Sequence, residues 1–325
     1  MNKYAPLIAA SITAMMILYL LASKTTSKFK DIPNERSLHS TPVPRIGGVA
    51  LMLGIFIGWG LMYESIVWWV VAPLLLLFFT SLLDDIYNLP VKLRLLLHVI
   101  AAAFFVYGSE LHEQQGFVVA AVTLLFVVWM TNLYNFMDGS DGLAGGMAFF
   151  GFGMYAIAAY LSQNTALASL NICVAAASAG FLLFNFYPAK IFMGDSGSIS
   201  LGFLAAVMGL WGWQQGTWAV WFPLFVFSPF IVDASVTLVK RALRGAKVTE
   251  AHREHYYQRL IQMGWGHRNV ALAEYGLMLS VGGSALSVKD DSWPWQLLLL
   301  WVFIYICAML QLDIRWKIYK QGQNV

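Results

Sequence analysis

An all-α bundle of about eleven membrane-crossing helices is what this sequence predicts, and three observations carry that reading. Hydrophobic residues make up 59% of the chain and charged residues only 11%; the mean hydropathy is +0.66, far from the balance of a soluble domain. The apolar residues fall into eleven stretches of roughly 16–21 residues, close to the ~20 that carry a helix across ~30 Å of hydrocarbon. Nearly all of the charge lies in the connections or at the ends of the stretches, and nearly all of its basic part in alternate connections.

The stretches run 5–23, 46–63, 66–83, 92–108, 117–134, 143–161, 165–184, 199–214, 218–238, 270–287 and 294–312. The first has no small-residue cleavage site after a short apolar core, so it reads as a retained anchor and not a removed signal. Pro223 and Pro229 fall in the ninth and predict a bend or break there. Short connections make residues 1–325 a single integral membrane domain. Cys173 and Cys307 both lie inside stretches and read as small apolar fillers, not as a disulfide or metal pair.

Threading eleven spans alternately puts the two termini on opposite faces. Five Lys and Arg then fall in loop 24–45 (Lys24, Lys28, Lys30, Arg36, Arg45), and Lys92 and Arg94 follow the third span. Lys190 follows the seventh, seven more lie in 239–269, and Arg315, Lys317 and Lys320 close the tail. Eighteen of the 20 basic residues thus share one face, with only Lys3 and Lys289 opposite. The positive-inside rule makes that face cytoplasmic, with the N-terminus periplasmic and the C-terminus cytoplasmic. The formal net charge of +3 reflects this loop retention and implies no nucleic acid partner.

The same face carries the acids. The third span ends in Asp84-Asp85, at a helix C-terminus where two carboxylates are disfavoured unless cations or a metal offset them. Lys92 and Arg94 are the nearest such charges; a solvated interfacial cap is the alternative. The fifth span runs into Asn135-Phe136-Met137-Asp138-Gly139-Ser140-Asp141-Gly142, whose side chains and backbone N–H groups can converge on a polar ligand. The seventh leads from Asn185 through Lys190 to Gly194-Asp195-Ser196-Gly197-Ser198, a carboxylate beside free N–H groups at a helix start. That setting suits phosphate and Mg²⁺, while an N-cap role, with Ser196 or Ser198 doing the capping, remains open. Loop 239–269 holds His252-Arg253-Glu254-His255, basic and aromatic as a pyrophosphate clamp requires. Asp233, about seven residues inside the ninth span, either pairs with a neighbouring Arg or Lys or contributes to the site.

Together these motifs resemble the polyprenyl-phosphate N-acetylhexosamine-1-phosphate transferases, which include the peptidoglycan translocase MraY and the initiators of O-antigen and teichoic acid linkage units. The matching residues are Asp84-Asp85 with Lys92 and Arg94, Asn135…Asp138-Gly139-Ser140-Asp141-Gly142-Leu143-Ala144, and Pro188-Ala189-Lys190-Ile191-Phe192-Met193-Gly194-Asp195-Ser196-Gly197-Ser198. The first loop, Pro33-Asn34-Glu35-Arg36-Ser37-Leu38-His39…Pro44-Arg45-Ile46-Gly47-Gly48, resembles the branch outside MraY. The resemblance implies that Asp195 ligates Mg²⁺ (or Mn²⁺), that Asp84 and Asp85 lie beside the metal, and that Asp85 activates a lipid phosphate. It implies that Asn135, Asp138, Asp141 and Asn185 hold a nucleotide. Lys92, Arg94, Lys190, His252, Arg253 and His255 would contact diphosphate or sugar, with Asp233 and Arg45 in support. His98 stands where the family has Gln, and the triple His of MraY is absent. The stretch Arg253, His255, Tyr257, Gln258 is closer to the O-antigen initiators.

The activity implied is transfer of N-acetylhexosamine 1-phosphate, or a 6-deoxy relative, from a UDP-sugar to undecaprenyl phosphate. UMP would be released at the cytoplasmic face of a bacterial inner membrane, starting a polysaccharide such as O-antigen. Membrane lipid is the other partner, and the family's dimers make a homodimer an expectation. Peptidoglycan lipid I synthesis is the alternative within the family. A secondary transporter would set its acids near the bilayer midplane, not at one interface.

Overall fold

The structure, a computed structural model, describes residues 3–23, 29–33, 38, 41–247, 250 and 252–323. Of the first-loop residues read above, Lys24, Lys28, Asn34, Glu35, Arg36, Ser37 and His39 lie outside the described residues. The apolar stretches become α1 (Ala5–Ala22), α2 (Gly47–Gly60), α3 (Trp68–Tyr87), α4 (Val91–Gly108), α5 (Leu111–Phe136), α6 (Leu143–Leu161), α7 (Thr165–Asn185) and α8 (Asp195–Gln214). They continue as α9 (Phe222–Val226), α10 (Ser228–Leu243), α11 (Tyr256–Leu260), α12 (Gly266–Ser287) and α13 (Trp295–Gln323). A two-residue hairpin, β1 (Lys30–Asp31) on β2 (Val43–Pro44), is the strand structure among the described residues.

Nine helical segments among the described residues are long and apolar enough to cross a membrane, counting 256–287 as one. The expectation of about eleven full-length spans is therefore corrected at two places. α2 has 14 residues, about 21 Å of helix against ~30 Å of hydrocarbon. The ninth stretch is broken as its prolines foretell: Pro223 and Pro229 each sit in the first turn of a short helix, α9 and α10. A proline there sacrifices no intrahelical bond. The fifth stretch begins earlier than expected, and its helix kinks at Gly116, whose φ is +85°.

α8 lies at the centre, with α2, α3, α5 and α6 packed on it, and is buried along nearly its whole length. Its run of Gly, Ala and Ser admits close neighbours, the usual device where lipid supplies no drive for helices to associate. α1 lies against α2 and α7 on one flank, where a Cβ on Gly54 would stand 2.6 Å from the Ala9 carbonyl. α13 touches the body along a thin seam, with α11 and α12 and through Ser228–Tyr305 and Lys240–Asp313 with α10, and Trp301 is its sole buried residue. The connections at one end of the bundle join each other: Lys289 Nζ reaches Ser162 Oγ at 2.8 Å and Trp221 Nε1 reaches the Asp291 carbonyl at 2.9 Å. The acid-bearing connections meet at the other end.

Candidate functional site

The site is built around the first turn of α8. A Cβ on Gly48 would lie 2.3 Å from the Gly197 backbone nitrogen, so α2 and α8 touch backbone to backbone at their starts. The approach is pinned by Phe192 N–H to the Pro44 carbonyl (2.8 Å), Gly47 N–H to Phe192 (2.8 Å) and Gly48 N–H to Met193 (2.7 Å). That register sets Arg45 beside Phe192 and over Asp195, with which it forms an ion pair. From α3, Asp85 accepts the N–H of Asp195 through Oδ1 and of Ser196 through Oδ2, both at 3.0 Å. Asp85 thus caps α8 from 110 residues away. Neither Ser196 nor Ser198 does so, contrary to expectation: the N-cap position is Gly194, without a side-chain bond. Ser198 Oγ instead donates to Asn135 Oδ1 at 2.7 Å.

The charges interlock. Arg94 Nη1 lies 2.7 Å from Asp84 Oδ2 and 3.4 Å from Asp195 Oδ2. Arg45 lies 3.5 Å from Asp85 Oδ1 as well as against Asp195. Asp84 also accepts the Leu89 N–H at 2.6 Å, which closes the end of α3. Burial raises the Asp138 carboxyl well above the usual range; Arg45 opposes this while Asp195 and Asp85 add to it. Burial alone would lower Arg45, but Asp195 and then Asp85 reverse that and raise it. Two guanidinium groups therefore face four carboxylates, and the surplus is negative.

No group of three or more His, Cys, Asp or Glu among the described residues forms a metal cage. The donor set nevertheless fits Mg²⁺, a hard cation held through one or two carboxylates and completed by substrate phosphate and water. Asp195, shared by two arginines and buried, and Asp138, unsettled by its acidic neighbours, are the oxygens that would hold it.

Beside this cluster opens a polar cavity of about 370 Å³, whose walls include Asp31, Arg45, Asn135, Asp138, Asp141, Asn185, Asp195, Gln258 and His267. Two residues expected to hold a nucleotide also hold the loops: Asn185 accepts the Gly142 N–H at 3.0 Å and donates to the Ile191 carbonyl at 2.9 Å, and Asp141 Oδ2 accepts the Ala189 N–H at 3.0 Å. His267, at the start of α12, was missed by sequence reasoning. Its Nε2 faces the Leu38 carbonyl at 3.1 Å and must donate, and its Nδ1 is hydrogen-bonded with Ser140 Oγ at 3.0 Å. A lone His after two glycines carries no motif, and its partners are 127 and 229 residues distant.

A second opening, about 680 Å³, adjoins the first through Asn135 and Gln258. Its walls are mostly apolar, from Val91, Leu95, Leu125, Val128, Trp129 and Leu238, with Arg94, His98, His252 and His255 at its polar end. The His98 Nδ1 is buried there with no hydrogen-bond partner among the described atoms. Asp233 does not pair with Arg or Lys, as one expectation had it. It accepts the N–H groups of Tyr256 (2.9 Å) and Tyr257 (3.0 Å), caps α11 and thereby sets His255 beside the groove. Lys92 and Lys190 are exposed, and with Arg253 they line neither the cavity nor the groove. The site thus gathers the acids, Arg45, Arg94, His252 and His255, and leaves those three outside.

A multi-pass helical membrane protein with an acid–guanidinium cluster at one end, between a polar cavity and an apolar groove, is the class that fold and site define. The profile of glycosyl transferase family 4 matches residues 67–212, from the start of α3 almost to the end of α8. The chain is 29% identical over 299 residues to a probable undecaprenyl-phosphate N-acetylglucosaminyl 1-phosphate transferase of Bacillus subtilis, covering 86% of this chain and 81% of the relative. It is 27% identical over 290 residues to a decaprenyl-phosphate N-acetylglucosaminephosphotransferase of Mycobacterium tuberculosis (75% and 71% covered). It is 27% identical over 312 residues to a phospho-N-acetylmuramoyl-pentapeptide-transferase of Geobacillus sp. (87% and 95%). The chain is thus similar to polyprenyl-phosphate hexosamine-1-phosphate transferases over most of its length, and that likeness supports an enzyme.

Proposed function

We propose that this enzyme transfers an N-acetylhexosamine 1-phosphate, or a 6-deoxy relative, from a UDP-sugar to undecaprenyl phosphate and releases UMP. The observation that carries the reading is the junction of two unlike openings at one acid–guanidinium cluster. A polar cavity suits the sugar nucleotide; an apolar groove ending in Arg94, His98 and His252 suits a polyprenyl chain with its phosphate at the head. The B. subtilis and M. tuberculosis relatives, named for N-acetylglucosamine, support a hexosamine donor. The absence of the triple His of MraY favours that over the muramyl-pentapeptide donor. The reaction would initiate an envelope polysaccharide such as O-antigen at the cytoplasmic face of the inner membrane. The basic loops at the site end support that orientation.

A phosphate oxygen of the lipid attacks the β-phosphorus of the UDP-sugar, and the bond from that phosphorus to the bridging oxygen breaks to free UMP. Both reactants are anions, so Arg45 and Arg94 act by offsetting charge as the phosphates close. Mg²⁺, held by Asp195 with Asp138, would supply further neutralisation of the diphosphate. Asp85 has both oxygens committed to the α8 N-terminus, which argues against a covalent phosphoryl-aspartate on that residue and for direct displacement. It positions Asp195 instead of activating the lipid phosphate. Asp84, bonded to Arg94 at the mouth of the groove, is the carboxylate placed to orient the incoming phosphate.

The test is a thin-layer assay of purified enzyme with undecaprenyl phosphate, Mg²⁺ and a panel of UDP-sugars. A lipid-linked product from a UDP-N-acetylhexosamine is the expected result. Product only from UDP-muramyl-pentapeptide would replace this reading with lipid I synthesis.

A further inference from the structure

A third opening, about 400 Å³, lies away from the cavity and groove, between the C-terminal ends of α10 and α13. Lys240, Arg244 and Arg259 line it with Asp313, Leu243 and Trp316. The position along α13 is informative. Asp313 and Trp316 lie 18 and 21 residues beyond Trp295, about 27 and 31 Å of helix. Since hydrocarbon is ~30 Å thick, an α13 that enters at Trp295 leaves it at this opening. Trp293 and Trp295, stacked at 5.6 Å, mark the opposite interface, as Trp316 marks this one.

The local charges do not cancel. Lys240 and Arg259 share Asp313, the latter at 2.8 Å, while Arg241 and Arg244 share Glu254. Four cations face two carboxylates. Arg259 is only 5% exposed, yet it is held open to the cavity by the Glu254 carbonyl and by the faces of Tyr256 and Trp316. Burying a guanidinium is costly unless something negative offsets it, and the carboxylate that does so here, Asp313, is shared with Lys240. The lip is apolar: Leu243 is 82% exposed, and Trp316 forms the wall opposite. An amphiphile with an anionic head and a hydrocarbon tail matches both parts.

We propose that this opening binds the headgroup of an anionic phospholipid, its phosphate against Lys240, Arg244 and Arg259 and its acyl chains over Leu243 and Trp316. The site also touches the enzyme's working parts. Lys240 donates to the Tyr256 hydroxyl at 2.6 Å, and Tyr256 heads the helix that Asp233 caps beside His255. Lipid bound here would hold the segment that forms the polar end of the groove.

The test needs no substrate. Full-length protein in neutral detergent is titrated with phosphatidylglycerol, and bound lipid is counted by native mass spectrometry. Lys240→Gln with Arg244→Gln should weaken the tightest-bound lipid roughly twentyfold, at about fivefold per charge near a membrane surface. Arg315→Gln with Lys317→Gln removes the same charge at the same end but outside the opening, and should change affinity less than about twofold. If the first pair fails to fold, Arg244→Gln alone, on a side chain 57% exposed, should still show the fivefold loss. Equal losses from both pairs would reduce the effect to general surface attraction and overturn the site. Displacement of the lipid by glycerol phosphate at matching concentration would show a free-anion site and overturn the lipid assignment.

Discussion

Asp195 and Asp85 are neighbours in space with different work, and substituting each should have a different consequence. Asp195→Asn removes the charge that Arg45 and Arg94 share but leaves α8 capped by Asp85. Turnover should fall by about 10²–10³-fold, the usual loss when a charge-stabilising group is removed from a reacting centre, with insertion and thermal midpoint nearly intact. Asp85→Ala should instead cost about 1–2 kcal/mol of stability through the lost cap, read as a lower midpoint in detergent. His267 should separate affinity from turnover. His267→Leu removes both bonds that tie the Ser140 loop to Leu38, so KM for the UDP-sugar should rise about tenfold with kcat little changed. His267→Gln, which retains a donor and an acceptor, should restore most of it. His252 supplies a pH signature. Burial, then His255 and Arg241, lower it from 6.5 to about 4, so it is neutral in the folded protein at neutral pH. A depressed folded value means its contribution to stability is complete above about 6.5 and is lost as pH falls towards 4. His252→Gln should remove that part of the acid sensitivity, seen as midpoints that converge on or cross wild type over this window.

At the scale of elements, two contacts place the site, and they were legible in the sequence to different degrees. α2 and α8 meet through Gly48 and Gly197. A methyl at Gly48 should force them apart and cost about 1–3 kcal/mol, the usual range for overpacking, with activity falling because Arg45 moves off Asp195. The glycines were visible within motifs, but that they face each other is a tertiary fact. Asp233 was visible as a carboxylate too deep in an apolar run to stand unpaired. Its partners, two backbone N–H groups more than 20 residues on, carry no sequence signature. The same holds for Asp85, whose helix-end position signalled a compensating partner but not that this partner was another helix's N-terminus. The break of the ninth span was legible because proline acts locally; the shortness of α2 was not, because polar and apolar residues alike follow it. Asp233→Ala should free α11, so limited proteolysis should cut the 252–265 segment faster than in wild type.

At the scale of the whole molecule, hydropathy conveyed the multi-span helical architecture well, because a bilayer imposes its length rule on every span separately. The meeting of Asp84, Asp85, Asp138 and Asp195 followed once their loops were placed at one end. The split of the site into a cavity and a groove did not, since both are spaces between helices and no single residue encodes them. Orientation is testable directly. Cysteines at Ser140 and Glu250 should resist an impermeant thiol reagent in intact cells and react in inverted vesicles; reaction of both from outside would reverse the topology. The central claim is that the two openings hold two substrates whose phosphates meet at Asp195, and the most direct measurement is the identity of the released nucleotide. Purified enzyme given undecaprenyl phosphate and its preferred UDP-N-acetylhexosamine should release UMP in step with a lipid-linked sugar diphosphate, and neither should form without the lipid. Release of UDP with a sugar monophosphate lipid, or UMP formed at full rate without polyprenyl phosphate, would contradict it.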